Sequence, residues 1–307
     1  MPNAMPHSRA TARDPMNSPT RFSPFGFRRT LFVLIASLSF VLPVAASEVL
    51  PMFDAHLHYN DDATVVYPVP EVLKRFRDNG FTAILANSRL NDGTRALSIA
   101  TRADPYAALR VVPFVRPYRT RADAGTWFDD PETYALIESE LRSDPGYRGI
   151  GEFHVYGADA AGIEVRRIVT LAVERNLWLH EHCDDATLEI LFGHDPRAKI
   201  IWTHTGFTTP SEKIARYMER CPGLVSELSF RHHIAEGGGV ASAWRMLFLA
   251  YPYRFVVGSD TWVNSRWDQY AEIIAQYRRS LRQLPPEVAT KIALGKWERM
   301  FSGALER

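Results

Sequence analysis

Leu177-Trp178-Leu179-His180-Glu181-His182, and then Lys199-Ile200-Ile201-Trp202-Thr203-His204, are two short apolar runs that each end in histidine. Runs of this length read as buried strands. Working outward, similar apolar, β-branched or aromatic runs fall near residues 52–58, 81–87, 109–116, 147–155, 224–230 and 254–260. Helical patterns lie between them, at 69–79, 131–142, 162–175, 210–220, 240–250 and 266–282, with a terminal addition at 285–294. Gly80 stops the first of these, and Pro145 lies just past the second. Strand alternating with helix argues for a parallel sheet, and eight such units argue for closure into a (β/α)8 TIM barrel. The competing architecture is an open doubly wound sheet, but no glycine-rich phosphate loop follows the first strand. Residues 117–130 and 232–239 read as longer loops.

The 307 residues are 46% apolar and 23% charged, a globular composition. The formal charge is +1, unevenly spread. Five arginines against Asp14 give the first 47 residues +4, which leaves −3 on residues 48–307. That acidic body carries no basic stripe for nucleic acid. Two cysteines, Cys183 and Cys221, exclude a disulfide framework and a cysteine-built zinc site.

The N-terminus predicts export. Arg28-Arg29 precede an apolar run at 31–44, and Val44-Ala45-Ala46-Ser47 offer small residues for a peptidase. The run is shorter than the roughly 20 residues that span a bilayer. We therefore expect residues 1–47 to be a signal peptide with an N-terminal extension, cleaved after Ala46 or Ser47. Residues 48–307 then form the barrel domain, periplasmic or secreted, with no stable membrane span. Arg28-Arg29 partly resemble a twin-arginine signal, and Met16 is an alternative start.

Nearly all of the ten histidines fall at the C-terminal ends of the predicted strands, where barrel enzymes keep their chemistry. Side chains two apart in a strand point the same way. His56 and His58 thus face the mouth together, as do His180 and His182, and Glu152 and His154. His204 ends strand six, and Asp260 ends strand eight. Imidazoles and carboxylates converging at one mouth make a divalent-metal site. Singly each residue has a bland reading: a chance pair, a core histidine, a helix-capping aspartate. Together they recur in order on strands one, four, five, six and eight.

Asp54-Ala55-His56-Leu57-His58, Gly151-Glu152-Phe153, Leu177 to Cys183, Thr203-His204-Thr205-Gly206 and Gly258-Ser259-Asp260 together resemble the amidohydrolase superfamily. The Gly-Ser-Asp ending is similar to the amidohydrolase-related branch, and the Gly-Glu pair to TatD-type hydrolases. The resemblance spans about residues 51–301. It implies the same barrel, holding one or two divalent ions. By it, His56 and His58 bind the first metal, His182 and His204 are the ligands from strands five and six, and Glu152 bridges. Asp260 binds metal and takes a proton from the attacking water. His180 is then an alternative ligand or a support for one. Trp297-Glu298-Arg299-Met300-Phe301 departs from the family by lacking an asparagine.

The imidazole-rich set favours zinc. Arg116, Arg231 and Asn87 are candidate substrate contacts, an arginine suiting a carboxylate or phosphate. The expected function is a metal-dependent hydrolase of a small ester, lactone, amide or phosphoester, with a homo-oligomer open. The alternatives are a metal-assisted decarboxylase on the same scaffold and a catalytically inactive exported binding protein.

Overall fold

The computed structural model describes residues 49–103, 108–231, 233–236 and 238–302. The expected signal segment lies outside these residues, as does His232. The barrel is built from β1 (Met52–Leu57), β2 (Phe81–Ala86), β3 (Arg110–Val115), β4 (Gly149–His154), β5 (Trp178–His182), β6 (Lys199–Trp202) and β7 (Leu224–Glu227). A small antiparallel hairpin, β8 (Ala235–Glu236) and β9 (Gly239–Val240), interrupts the series before β10 (Phe255–Val256). The sheet order is β1-β2-β3-β4-β5-β6-β7-β10, with parallel pairing throughout. Backbone bonds from Ala55 N to Val257 O (2.9 Å) and from Asp260 N to His56 O (2.7 Å) bring the last strand back to the first. This is the TIM barrel expected from the strand count.

Helices cover the outside because their apolar faces match the outer face of the strands. The helix Val69–Asp78 buries Val72, Leu73 and Phe76, and Ile163–Glu174 buries Val165, Ile168, Val169 and Ala172. Asp184 caps the helix Asp185–His194 by accepting the Thr187 N–H at 2.7 Å. The expected loop at 117–130 holds two short helical turns, and the one at 232–239 leads through the β8–β9 hairpin. No helix among the described residues is long and apolar enough to cross a membrane.

Inside the barrel, Phe53, Ala55, Leu85, Phe114, Ile201 and Val256 fill the end near the strand N-termini. Trp297 and Phe301 pack against that layer from below (Phe53–Trp297 ring centroids are 5.4 Å apart). With the lower end filled, polar interior side chains collect at the upper end. Two register irregularities steer them. On β1 the pairing slips between Asp54 and Leu57, and on β4 between Gly151 and Phe153. Such bulges re-aim side chains next to functional sites. Here Phe53 and Ala55 belong to the lower interior, and the slip lets His56 and His58 follow at the mouth.

Candidate active site

β1, β4 and the segment after β10 bring four side chains together. His56 Nε2 lies 3.0 Å from His58 Nε2, 3.6 Å from Glu152 Oε1 and 3.4 Å from Asp260 Oδ1. His58 Nε2 is 3.2 Å from both Glu152 Oε2 and Asp260 Oδ1. All four residues are buried. Glu152 reaches this position because Gly151 precedes it at φ +124°, where an added Cβ would stand 2.3 Å from the His180 carbonyl oxygen.

The far side of each ring is tied down. His56 Nδ1 faces Glu227 Oε2 at 3.2 Å, and a carboxylate only accepts, so Nδ1 carries a proton. His58 Nδ1 lies between an acceptor, the Asn87 carbonyl at 2.9 Å, and a donor, Arg116 Nη1 at 2.6 Å, so its contacts hold the ring in place without fixing its tautomer. His204 Nδ1 donates to the Ser229 carbonyl at 2.8 Å, which turns Nε2 toward Asp260 Oδ2, 3.8 Å away. The Nε2 atoms of His56 and His204 are thereby left free to coordinate.

His182 adds a second corner, with Nδ1 2.9 Å from Glu152 Oε1. His154 packs against it at 4.1 Å between ring centroids and meets the Tyr118 hydroxyl at 2.9 Å. Glu152, His154 and His182 could hold an ion, as could His56, His58 and Asp260.

The electrostatics suit a cation. Burial opposes charge on both Glu152 and Asp260, yet the adjacent His56 holds both carboxyls well below the usual range. Burial likewise disfavours charge on His56, but Asp260 and Glu152 override it and raise that imidazole. Burial pushes His154 down to about 3 and lowers His180 and His204. Three carboxylates, Glu152, Asp260 and Glu227, thus surround the cations Arg116 and His56, leaving a net negative cluster that a divalent ion complements. Nitrogen and carboxylate donors about 3 Å apart also match the spacing of ligands at roughly 2.1 Å from a common ion. The residues fit the metal.

The expected substrate contacts fall in three places. Arg116 lines the cleft, but its Nη2 is committed to Glu152 Oε2 at 3.1 Å and its Nη1 to Asn87. Asn87 lies behind the site, with Nδ2 3.1 Å from His180 Nδ1. His180 is fully buried beneath His56, 4.5 Å between ring centroids, and its Nε2 has no partner among the described residues. Arg231 is absent from the cleft lining and bonds instead to the Thr209 carbonyl.

The open cleft above the cluster has a volume of about 450 Å³. Arg89, Arg121, Tyr118, Phe207, Phe230 and Trp262 form its walls around Glu152, His182, His204 and Asp260. Glu227 is the residue the sequence signalled least as a support. It also accepts the His204 backbone N–H at 3.1 Å and the Ser229 hydroxyl at 2.8 Å. A glutamate inside the apolar run Leu224-Val225-Ser226-Glu227 was the available signal.

No family model matches the chain, and neither does any curated protein. Among solved structures it is similar to an uncharacterised TIM-barrel protein of Bordetella bronchiseptica, with 12% identity over 82% of this chain and 99% of that one and a TM-score of 0.55. A protein of Pseudomonas putida assigned as a 2-pyrone-4,6-dicarboxylic acid hydrolase is 16% identical, with 83% and 98% covered and a TM-score of 0.50. An amidohydrolase 2 of Bifidobacterium longum subsp. infantis is 11% identical, with 82% and 99% covered and a TM-score of 0.47. At these identities the likeness is one of fold, and the fold is the TIM barrel.

Proposed function

We propose that the chain is a metal-dependent hydrolase acting on a small ester, lactone, amide or phosphoester. The observation that carries this reading is the convergence of His56, His58, Glu152 and Asp260, whose Nε2 nitrogens and carboxylate oxygens face one another within 3.6 Å. These four, with His182 and His204, would hold one or two divalent ions, and the imidazole content favours zinc. Such an ion supplies Lewis acidity and lowers the pKa of water.

The chain supplies the rest. Asp260 is ionised, borders the cleft, and turns Oδ1 toward His56 and His58. It is placed to take a proton from a nucleophilic water and return it to the leaving group. Arg116 fixes the Glu152 carboxylate. Glu227 and the Asn87 carbonyl hold the His56 and His58 rings in orientation. Aromatic side chains give the cleft apolar walls, and Arg121, stacked on Trp262 at 5.8 Å, favours substrates with an acidic group, whereas Arg89 is paired with Asp61 at 2.9 Å. A small molecule, not nucleic acid, suits a cleft of this size.

Metal analysis of purified protein, with a panel of ester, lactone, amide and phosphoester substrates, tests the reading. We expect one or two ions per chain and hydrolysis that a chelator abolishes. Less than about half an ion per chain after supplementation would overturn it. Release of carbon dioxide without water uptake would instead assign a decarboxylase.

We also propose that the mature protein is exported and begins near residue 47 or 48. The Arg28-Arg29 pair, the apolar run and Val44-Ala45-Ala46 support this. N-terminal sequencing of cell-envelope material checks it, and an intact Met1 or Met16 terminus refutes it.

A further inference from the structure

A second cavity of about 570 Å³ lies behind β7, beside the helices Ser242–Ala250 and Tyr270–Leu281. Phe230 stands between it and the catalytic cleft, since it borders both. Arg231 lines this cavity and is only 9% exposed. Its guanidinium lies over the Trp244 ring at 5.0 Å, and Nη2 donates to the Thr209 carbonyl. Among the described residues, Nε and Nη1 have no partner.

Nothing described compensates that charge. Among the described residues the lining contains no Asp or Glu. The two other arginines there are engaged elsewhere. Arg266 stacks on Phe230 at 4.1 Å and donates to the Ser259 and Asp260 carbonyls. Arg279 pairs with the exposed Glu272 at 2.8 Å. Burial alone, unopposed by any acid, brings Arg231 down to about 10, so it remains a cation at neutral pH. Buried charges in folded proteins are ordinarily paired, and an unmatched one is strongly destabilising. The remaining wall is largely apolar, with Leu228, Phe248, Val257, Ile273 and Leu284 around the charge.

We propose that this cavity is a second ligand site, which binds a small carboxylate with an apolar body, its head on the free donors of Arg231. A monoanion matches the one guanidinium of the lining with buried donors unpartnered among the described residues, and the apolar wall matches a hydrocarbon or aryl tail. Inorganic phosphate offers the charge without the tail, and a fatty alcohol the tail without the charge. The site is separate from the metal cluster, so it stands or falls independently of the hydrolase reading.

Calorimetric titration of the full chain with octanoate, 1-octanol and inorganic phosphate tests it. Octanoate should bind saturably at a single site, with the other two probes weaker by roughly tenfold or more. Arg231→Met should weaken octanoate roughly 10- to 100-fold, the worth of a charge-assisted bond, and leave 1-octanol unchanged. Ile273→Trp, which keeps Arg231 but fills the cavity, should abolish octanoate binding without altering metal content. That second variant decides the matter if Arg231→Met does not fold. Absence of octanoate binding, binding that survives the cavity-filling variant, or phosphate or octanol binding as tight as octanoate would overturn the proposal.

Discussion

Replacing Glu227 with glutamine probes how far metal affinity depends on a residue that touches no ion in the proposed site. Glu227 is fully buried, and its two oxygens receive four donors: His56 Nδ1–H, His204 N–H, Ser229 N–H and the Ser229 hydroxyl. Three of these converge on Oε2, and the Ser229 N–H lies on Oε1. Glutamine keeps the shape but offers one acceptor and one NH2 group. If the amide nitrogen takes the Oε2 position, His56 loses its anchor. If it takes the Oε1 position, the Ser229 N–H faces another donor. Either orientation leaves at least one buried donor unmatched, at a cost of about 1–3 kcal/mol in the stability of the metal-free protein. Loss of a group that orients a histidine ligand typically weakens metal binding about 10- to 100-fold. Competition for zinc against a chelator of known affinity reads the second effect, and urea unfolding of the metal-free protein reads the first. We expect both to appear in Glu227→Gln. If stability falls while zinc affinity stays within about threefold of wild type, Glu227 supports only the core and the orientation argument is wrong.

Asp260→Asn should reduce turnover roughly 10²- to 10⁴-fold, typical of losing a general acid–base, while metal content is retained; turnover above about a tenth of wild type with metal intact would assign water activation to another group. Gly258→Ala would place a Cβ 2.3 Å from Glu227 Oε1 and 2.6 Å from His56 Cβ. It should cost about 1–3 kcal/mol in denaturant unfolding and lower zinc affinity, and wild-type values for both would contradict the packing described. Lys296→Met addresses pH. Burial, then the charges of Arg254, Arg299 and Lys199, lower this amine from 10.5 to about 8. The unfolded chain therefore holds the proton more tightly, the penalty is full below pH 8, and it fades between about pH 8 and 10.5. Allowing for partial solvation, the substitution should stabilise by about 1–2 kcal/mol at pH 7 and by less at pH 10, and equal gains at the two pH values would refute the sign.

The barrel and most of the candidate cluster are legible in the sequence because strand periodicity writes side-chain direction directly. His56 and His58, two apart, reach the same point, as the alternation requires. Periodicity fails where the strand ends. Phe230 has φ +48°, outside any strand geometry, and the turn it makes sends Arg231 away from the cleft it would otherwise face. Glu227 obeys the alternation, but a single acid in an apolar run does not declare whether it binds an ion or holds a ligand. The helices Asn91–Ala103 and Asp185–His194 are hard to read for different reasons. In the first, Gly93 sits near the start because the Tyr59 carbonyl passes close by, which breaks the helix-forming composition. The second is apolar over most of its surface and shows little amphipathic contrast.

The backbone at the mouth also limits how this site can change. Among the described residues, seven other than glycine have positive φ, and six of them lie past the ends of strands: His204, Thr205, Phe207, Phe230, His233 and Asp260. Each such residue costs of order 1–3 kcal/mol, offset by the packing around it. Aspartate and asparagine tolerate this conformation better than most side chains, whereas β-branched ones resist it. At Asp260, with φ +46°, backbone tolerance and the proposed proton transfer thus ask for the same short carboxylate. A lineage drifting from this sequence could lose the chemistry through asparagine or glycine without disturbing the loop. Recovering it by a longer acid would require the chain itself to be redrawn.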